Sequence, residues 1–247
     1  RVGNMQPDLS DSVDNEWLCA RILEAYGLPV ARCHPLVFED QRVLAVERFD
    51  RRWSPDGSWL MRLPQEDMCQ ATGTPPHLKY EADGGPGIDA ILGLLSGSAQ
   101  RDRDREVFFR AQLLFCLLCA PDGHAKNFSI ALHAGGSFTL APLYDVMSAY
   151  PLLGPGPGQL SPHRVKLAMA VRSKNAHWGM REILRRHWDE VGRRNGVVRA
   201  DGGGVEVIVG DIIQRTPAAI DYITSSVPDT FNARVLKRVV TGLRDAV

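Results

Sequence analysis

The run Ala111 to Ala120 (AQLLFCLLCA) constrains this chain most, because so long and nearly unbroken an apolar stretch can be buried only as a helix inside a core. Pro121 follows at once, and proline disfavours the helical conformation in the residue before it, so the helix is expected to stop there. The next six residues, Asp122-Gly123-His124-Ala125-Lys126-Asn127, then fall on a loop at the end of a rigid element. Beyond them, Phe128 to His133 reads as a strand, Ala134-Gly135-Gly136 as its turn and Ser137 to Leu143 as the returning strand. Such a hairpin brings its two ends together, and those ends carry Asn127 and, within Leu143-Tyr144-Asp145-Val146, Asp145.

An Asp, an Asn five residues later and a second Asp 18 positions beyond the Asn match the working parts of protein kinases. In those enzymes the first Asp accepts the proton of the attacking hydroxyl, while the Asn and the later Asp hold the magnesium that bridges the ATP phosphates. Two protein oxygens suffice, since magnesium dehydrates reluctantly and completes its shell with phosphate oxygens and water. A D-x-x-x-x-N string by itself is also what an ordinary polar loop carries, because Asp and Asn hydrogen-bond neighbouring backbone. The second Asp at the base of a hairpin is what separates the two readings.

Longer strings spread along the chain sharpen this. DLSDSVDNEWLCARILEAYGLPV (8 to 30), LAVERFDRRW (44 to 53), RLPQEDMCQATGTPP (62 to 76), KYEADGGPGI (79 to 88), DGHAKNFS (122 to 129), LYDVMSAYP (143 to 151) and VKLAMA (165 to 170) resemble, in order, the HipA-like serine/threonine kinases, toxins of bacterial toxin–antitoxin pairs. The resemblance is close over residues 8 to 170 and fades toward the C-terminus. It implies an α+β, mostly α-helical fold: a protein-kinase-like C-terminal lobe over residues 51–247, with a partial N-terminal lobe over residues 1–50 reduced to a helix, a short β-hairpin and the hinge. It further implies ATP and Mg2+ as cofactors, Asp122 as catalytic base, and Asn127 and Asp145 as metal ligands. The implied nucleotide pocket comprises Glu47, Phe49, Gln65, His124, Lys126, Asn127, Tyr144 and Asp145. Within it, Glu47-Arg48-Phe49 is the hinge whose backbone pairs with the adenine edge, and His124 and Lys126 are phosphate contacts, a suitable task for donor groups beside polyphosphate. The implied partners are a DNA-binding antitoxin of helix-turn-helix type (HipB-like) and a protein substrate such as an aminoacyl-tRNA synthetase.

One departure from the family pattern lies at the front. Full-length relatives carry, ahead of the counterpart of Leu9, a small lobe with a phosphate-covering loop and a lysine that reaches the phosphates. No Gly-rich phosphate loop precedes Glu47 here, the first lysine is Lys79, and the chain opens on Arg1. The expectation is therefore a fragment whose own activity is feeble, and the alternative is a weak remnant that acts by binding an antitoxin or a partner lobe. A small-molecule phosphotransferase would share the loop logic, but RLPQEDMCQ and KYEADGGPG match the protein-kinase toxins specifically.

Elsewhere, Cys33 to Phe38 and Arg42 to Phe49 read as a strand pair with Glu39-Asp40-Gln41 as the turn. Helices are expected over Val13 to Tyr26, ended by Gly27, from Pro64 to Gly73, and on the apolar stripes of Trp178 to Val191 and Ala233 to Val247. Glu16 on the first helix is either the counterpart of the glutamate that orients the phosphate lysine or a solvated first-turn carboxylate. The Gly/Pro-rich stretch 149–162 is either a substrate-recognition or activation segment or a surface loop, and Gly202-Gly203-Gly204 is a linker or a turn. A parallel sheet is not expected, because strand signals do not alternate with helices.

The 29 basic and 29 acidic residues cancel, so no global field favours nucleic acid or an anionic membrane. Arginine clusters at 172–174, 181–186 and 193–194 leave room for a local DNA contact, although water-facing arginines on a helix are commonly a solvated face. No apolar run reaches the ~18 residues of a membrane span, and five scattered cysteines make no disulfide framework, which suits a cytoplasmic protein with reduced thiols. Cys116 and Cys119 have redox or metal spacing but sit within the apolar helix, so they read as small core residues.

Overall fold

A computed structural model describes residues 8–247. The apolar run is the C-terminal half of a longer helix, α4 (Arg101–Leu117), whose polar beginning, RDRDRE, is helical as well. Acids in its first turn, Asp102 and Asp104, suit the positive end of the helix dipole. Asp104 is buried and accepts hydrogen bonds from the Leu140 N–H (2.7 Å) and the Ser98 hydroxyl (2.5 Å), so tertiary contacts rather than hydropathy set where α4 starts. The helix also ends earlier than Pro121 requires. Leu118 caps it, and Cys119 turns the chain with φ of 50°.

Around α4 pack α1 (Ser12–Ala25), α3 (Ile88–Leu95), α5 (Arg185–Arg194), α6 (Val205–Ser226) and α7 (Ala233–Asp245). One apolar core runs from Leu18 on α1 to Leu243 on α7. Edge-to-face rings lock its centre, Phe108 against Phe128 at 4.9 Å and Phe109 against Trp188 at 5.8 Å. The 22-residue α6 is not evident from the sequence, because Gly210 and Pro217 interrupt its pattern. Burial of Ile208, Ile212, Ala219, Ile220 and Ile223 outweighs the one helical bond that Pro217 forgoes, and Thr216 is held by the Tyr26 hydroxyl at 2.6 Å.

The strands form four small sheets, all antiparallel. β1 (Cys33–Phe38) and β2 (Gln41–Val46) make a hairpin whose turn is only Glu39–Asp40, since Gln41 already pairs with Phe38. β2 stops at Val46, so Glu47 to Phe49 lie beyond the strand rather than in it. A second hairpin, β3 (Arg51–Trp53) with β4 (Leu60–Arg62), follows. The helix expected from Pro64 to Gly73 is mostly something else: Gln65–Asp67 is a strand, β5, and only Met68–Ala71 is helical, as α2. Asp67 explains the switch, because its carboxylate caps the Gln70 N–H while the Gln70 side chain returns to the Asp67 N–H. β5 pairs with β6 (Ser129–Leu132), which pairs with β7 (Phe138–Leu140), the hairpin read from the sequence.

In the C-terminal third, β8 (Lys166–Arg172) pairs with β9 (Ala176–Gly179), so Trp178 belongs to a strand and the expected helix begins only at Arg185. Leu184 is correspondingly exposed, whereas Trp188 and Val191 are core. The 149–162 stretch is less irregular than its glycines and prolines suggest, with a 3-10 turn at Tyr150–Leu152 and a bridge between Leu153 and Leu160. No helix of the described residues is long and apolar enough to cross a membrane.

Candidate active site

The loop after α4 is shaped by close packing. A Cβ on Gly123 would meet the Phe115 ring at 2.3 Å, so only glycine lets the chain fold back onto the helix it has just left. The His124 N–H then bonds to the Asp122 carbonyl at 2.8 Å, the Asn127 N–H to the His124 carbonyl at 2.9 Å, and β6 departs. Asn127 is buried, and its Nδ2 donates to the carbonyls of Asp122 (2.8 Å) and Asp145 (3.4 Å). One side chain therefore ties together the three residues that the sequence spacing singles out. With Nδ2 spent, Oδ1 is the atom of Asn127 left to meet a ligand.

Asp145 adopts a left-handed φ of 57°, a conformation that Asp tolerates better than most residues. Its carboxyl keeps an open face but is otherwise enclosed, and that burial, with the negative charge of Asp122, pushes its pKa above the ordinary carboxylate value; His124, Lys79 and Asn127 oppose the shift. Carboxylates crowded in this way favour a cation. The Asn127 and Asp145 oxygens form a hard donor pair, and no cluster of three or more His, Cys, Asp or Glu suited to a metal occurs among the described residues. That donor set fits magnesium completed by phosphate and water.

The Asp122 side chain is half exposed and accepts a hydrogen bond from the Tyr80 hydroxyl at 2.5 Å. His124 stacks edge-on against Tyr80 at 5.0 Å, with Nε2 4.0 Å from Asp122. Burial lowers the His124 pKa from its ordinary value, against the pull of Asp122. Its Nδ1 is buried without a partner among the described residues. Lys126 stands 4.0 Å from Asp67.

The other expected pocket residues are held by a separate set of contacts. Phe49 stacks on Tyr144 at 5.8 Å, and Tyr144 is fixed in turn by Ser129 (2.6 Å) and by donation to the Lys126 carbonyl (2.9 Å). No hydrogen bond among the described residues uses the Phe49 N–H or the Glu47 carbonyl, whereas the Glu47 N–H is taken by the Arg32 carbonyl. Gln65 Oε1 is buried and has no hydrogen-bond partner among the described residues. Glu16 faces the same cleft as Val46, Tyr144 and Asp145; burial, and next the charge of Asp145, push its carboxyl up to about 7, so it is not a freely solvated carboxylate.

Three residues escaped sequence reasoning. Tyr80 and Lys79 lie in KYEADGGPG, whose glycines were the available signal: a Cβ on Gly85 would sit 2.2 Å from the Leu78 carbonyl, so this turn folds tightly back on Lys79–Tyr80. The Lys79 carbonyl takes the Ala125 N–H, and its ammonium lies 5.1 Å above the Tyr80 ring. Asp50 is the third. Buried and held by Arg48 at 2.6 and 2.7 Å and by Arg51 at 2.5 Å, its carboxyl is lowered to about 2, and it fixes the chain just after Phe49.

The basic clusters are largely paired within the chain, Arg172 with Glu81, Arg185 with Asp189, Arg193 with Glu206 and Arg194 with Asp89. Burial pushes the Cys116 and Cys119 thiols up to about 12 and about 11, which makes both poor nucleophiles and metal ligands.

Comparison with known proteins gives one family: the profile described as HipA-like C-terminal domain matches residues 3–220. The chain is 38% identical over 160 residues to the Sinorhizobium fredii protein Y4mE, covering 64% of this chain and 38% of that one. It is 32% identical over 147 residues to the serine/threonine-protein kinase toxin HipA of Shewanella oneidensis, covering 55% and 34%. The chain thus spans well under half the length of these relatives. Among solved structures, the Shewanella oneidensis complex of HipA, HipB and operator DNA superposes with a TM-score of 0.78 at 21% identity, over 95% of this chain and 55% of the other. The Helicobacter pylori proinflammatory kinase CtkA superposes with a TM-score of 0.58 at 12% identity, over 97% and 81%. At those identities the likeness is one of fold, and the fold is kinase-like.

Proposed function

This chain belongs to the HipA-like C-terminal domain family, and from that premise we propose that it carries the phosphoryl-transfer site of a serine/threonine protein kinase. The observation that carries the reading is the Asn127 side chain, which gathers Asp122 and Asp145 through their carbonyls. Asp122 is the base: as the substrate oxygen bonds to the γ-phosphorus, its proton passes to the Asp122 carboxylate and the bond from phosphorus to the β,γ-bridging oxygen of ATP breaks, releasing ADP. Asn127 Oδ1 and the Asp145 carboxylate would hold Mg2+, which would supply positive charge against the phosphates. The free Phe49 N–H and Glu47 carbonyl pair with the adenine edge, beside the Tyr144 ring. His124, Lys126 and Lys79 supply donors on the phosphate side. Gln65, with its unpartnered oxygen, completes the pocket.

By analogy with the relatives, the proposed partner is a helix-turn-helix antitoxin resembling HipB, and the proposed substrate is a protein of the translation apparatus such as an aminoacyl-tRNA synthetase. The intact protein, incubated with magnesium and ATP labelled on the γ-phosphate, is expected to label serine or threonine in an extract of translation proteins. An extract free of label on any such residue, under conditions where ATP binds, contradicts the reading.

A further inference from the structure

Asp122 also lines a second cavity, of about 160 Å3, that contains none of the nucleotide residues. The rest of its wall is mainly apolar, with Leu9, Pro121, Met147, Pro151, Leu152 and Leu160. The part of the wall at residues 147–152 is fixed in place relative to Asp122. Asn15 donates to the Ser148 carbonyl at 2.7 Å and accepts from the Ser148 N–H at 2.9 Å, the Ser148 hydroxyl reaches the Leu118 carbonyl at 2.6 Å, and the Ala149 N–H bonds to the Cys119 carbonyl at 2.7 Å. Asn15 and Ser148 are both buried, so the loop after Asp145 is pinned to the same helix end that launches Asp122.

We propose that this cavity receives a large apolar side chain of the protein substrate, Leu, Met or Phe, close in sequence to the Ser or Thr whose hydroxyl meets Asp122. The inference rests on the kinase reading above. Size supports it, since a cavity of ~150 Å3 is large enough to accept a benzene ring. Reach supports it too, because an extended peptide advances about 3.3 Å per residue, and the same residue serves as base and as part of the wall. Charge defines the flank. Asp8 and Asp11 line the cavity with Asp122, and among the described residues Arg234, paired with Asp11, is outnumbered by these carboxylates, so an acidic neighbour is repelled.

The test measures kcat/KM of the intact protein on Ser-centred peptides in which each neighbouring position is in turn Leu, Phe, Ala, Asp or Arg. One position is expected at which Leu and Phe exceed Ala by roughly tenfold or more, with Asp the poorest. In Leu152→Glu the preference at that position is expected to turn toward Arg, a reversal that a folding defect cannot produce. Transfer to the peptides with no such preference, or a preference that both Leu152→Glu and Leu160→Ala leave unaltered, overturns the cavity inference alone. Absence of transfer to any peptide or protein serine overturns the kinase reading and this inference with it.

Discussion

Asp122, Asn127 and Asp145 stand on segments tied at every turn to buried groups, whereas Glu47 to Phe49 stand between two hairpins with open faces. The first region hangs from α4 through Phe115, Asn127 and the Asn15–Ser148 pair. The second carries Val37, Phe38, Trp53 and Trp59, all well exposed, and meets the body through Phe49 on Tyr144, Arg42 on Asp14 and the packing of β1 and β2 against α1. A group that must meet developing charge needs a fixed position before the reaction, since reorganisation at that moment costs rate. A platform for a flat ring tolerates more movement. Asp50, clamped by two arginines, holds the junction between the two regimes.

The comparison is broken most sharply at Asp122. Asp122→Asn is expected to lower phosphoryl transfer by ~10²- to 10⁴-fold, the range for a general base, with the thermal unfolding midpoint little changed because the side chain is half exposed. Turnover equal to that of the parent protein would remove Asp122 from the mechanism. Next is the scaffold. Asn15→Ala strips both Ser148 backbone groups of buried partners and is expected to cost roughly 2–4 kcal/mol in urea unfolding, and a loss below half a kcal/mol would show that the loop is not pinned as described.

A smaller effect concerns the cation. Asn127→Ala and Asp145→Ala each remove one hard oxygen and are expected to raise the magnesium concentration needed for ATP binding, measured by calorimetric titration at fixed nucleotide; superimposable curves for both variants contradict the ligand assignment. The sign of a pH effect follows from Glu16. Its carboxyl is raised from 4.5 to about 7 on folding, so the native state holds the proton more tightly than the unfolded chain does. The stability linked to that proton is complete below 4.5 and is lost as pH rises toward 7. Glu16→Gln is expected to flatten the metal-free stability profile across that window, and an unaltered slope would assign it to other groups. Least of all should the front hairpin matter to the body: Val37→Thr or Phe38→Ser is expected to change unfolding free energy by no more than about 0.5 kcal/mol, while amide exchange in β1 and β2 runs ahead of that in α4.

The sequence by itself determined the apolar half of α4, the β6–β7 hairpin and the spacing of Asp122, Asn127 and Asp145, because each depends on neighbours a few positions away: hydropathic period, a proline, a glycine pair. Families of strings added the fold class. Tertiary structure alone decided the rest, for one physical reason, that the deciding partner lies far along the chain. Gln65 to Asp67 became a strand because β6 offered an edge, with Gln65 opposite Ala131, and the apolar pattern of RLPQEDMCQ contains no trace of that partner. α6 formed across Pro217 because its apolar face is buried in the core shared with α1 and α4. Tyr80 reached Asp122, 42 positions away, only because Glu81 accepts from the Ala170 N–H and Arg172 and the turn at Gly85 folds back beneath it. A hydrogen bond of that span leaves no periodicity to read, so the residue beside the base was visible only once the chain was folded.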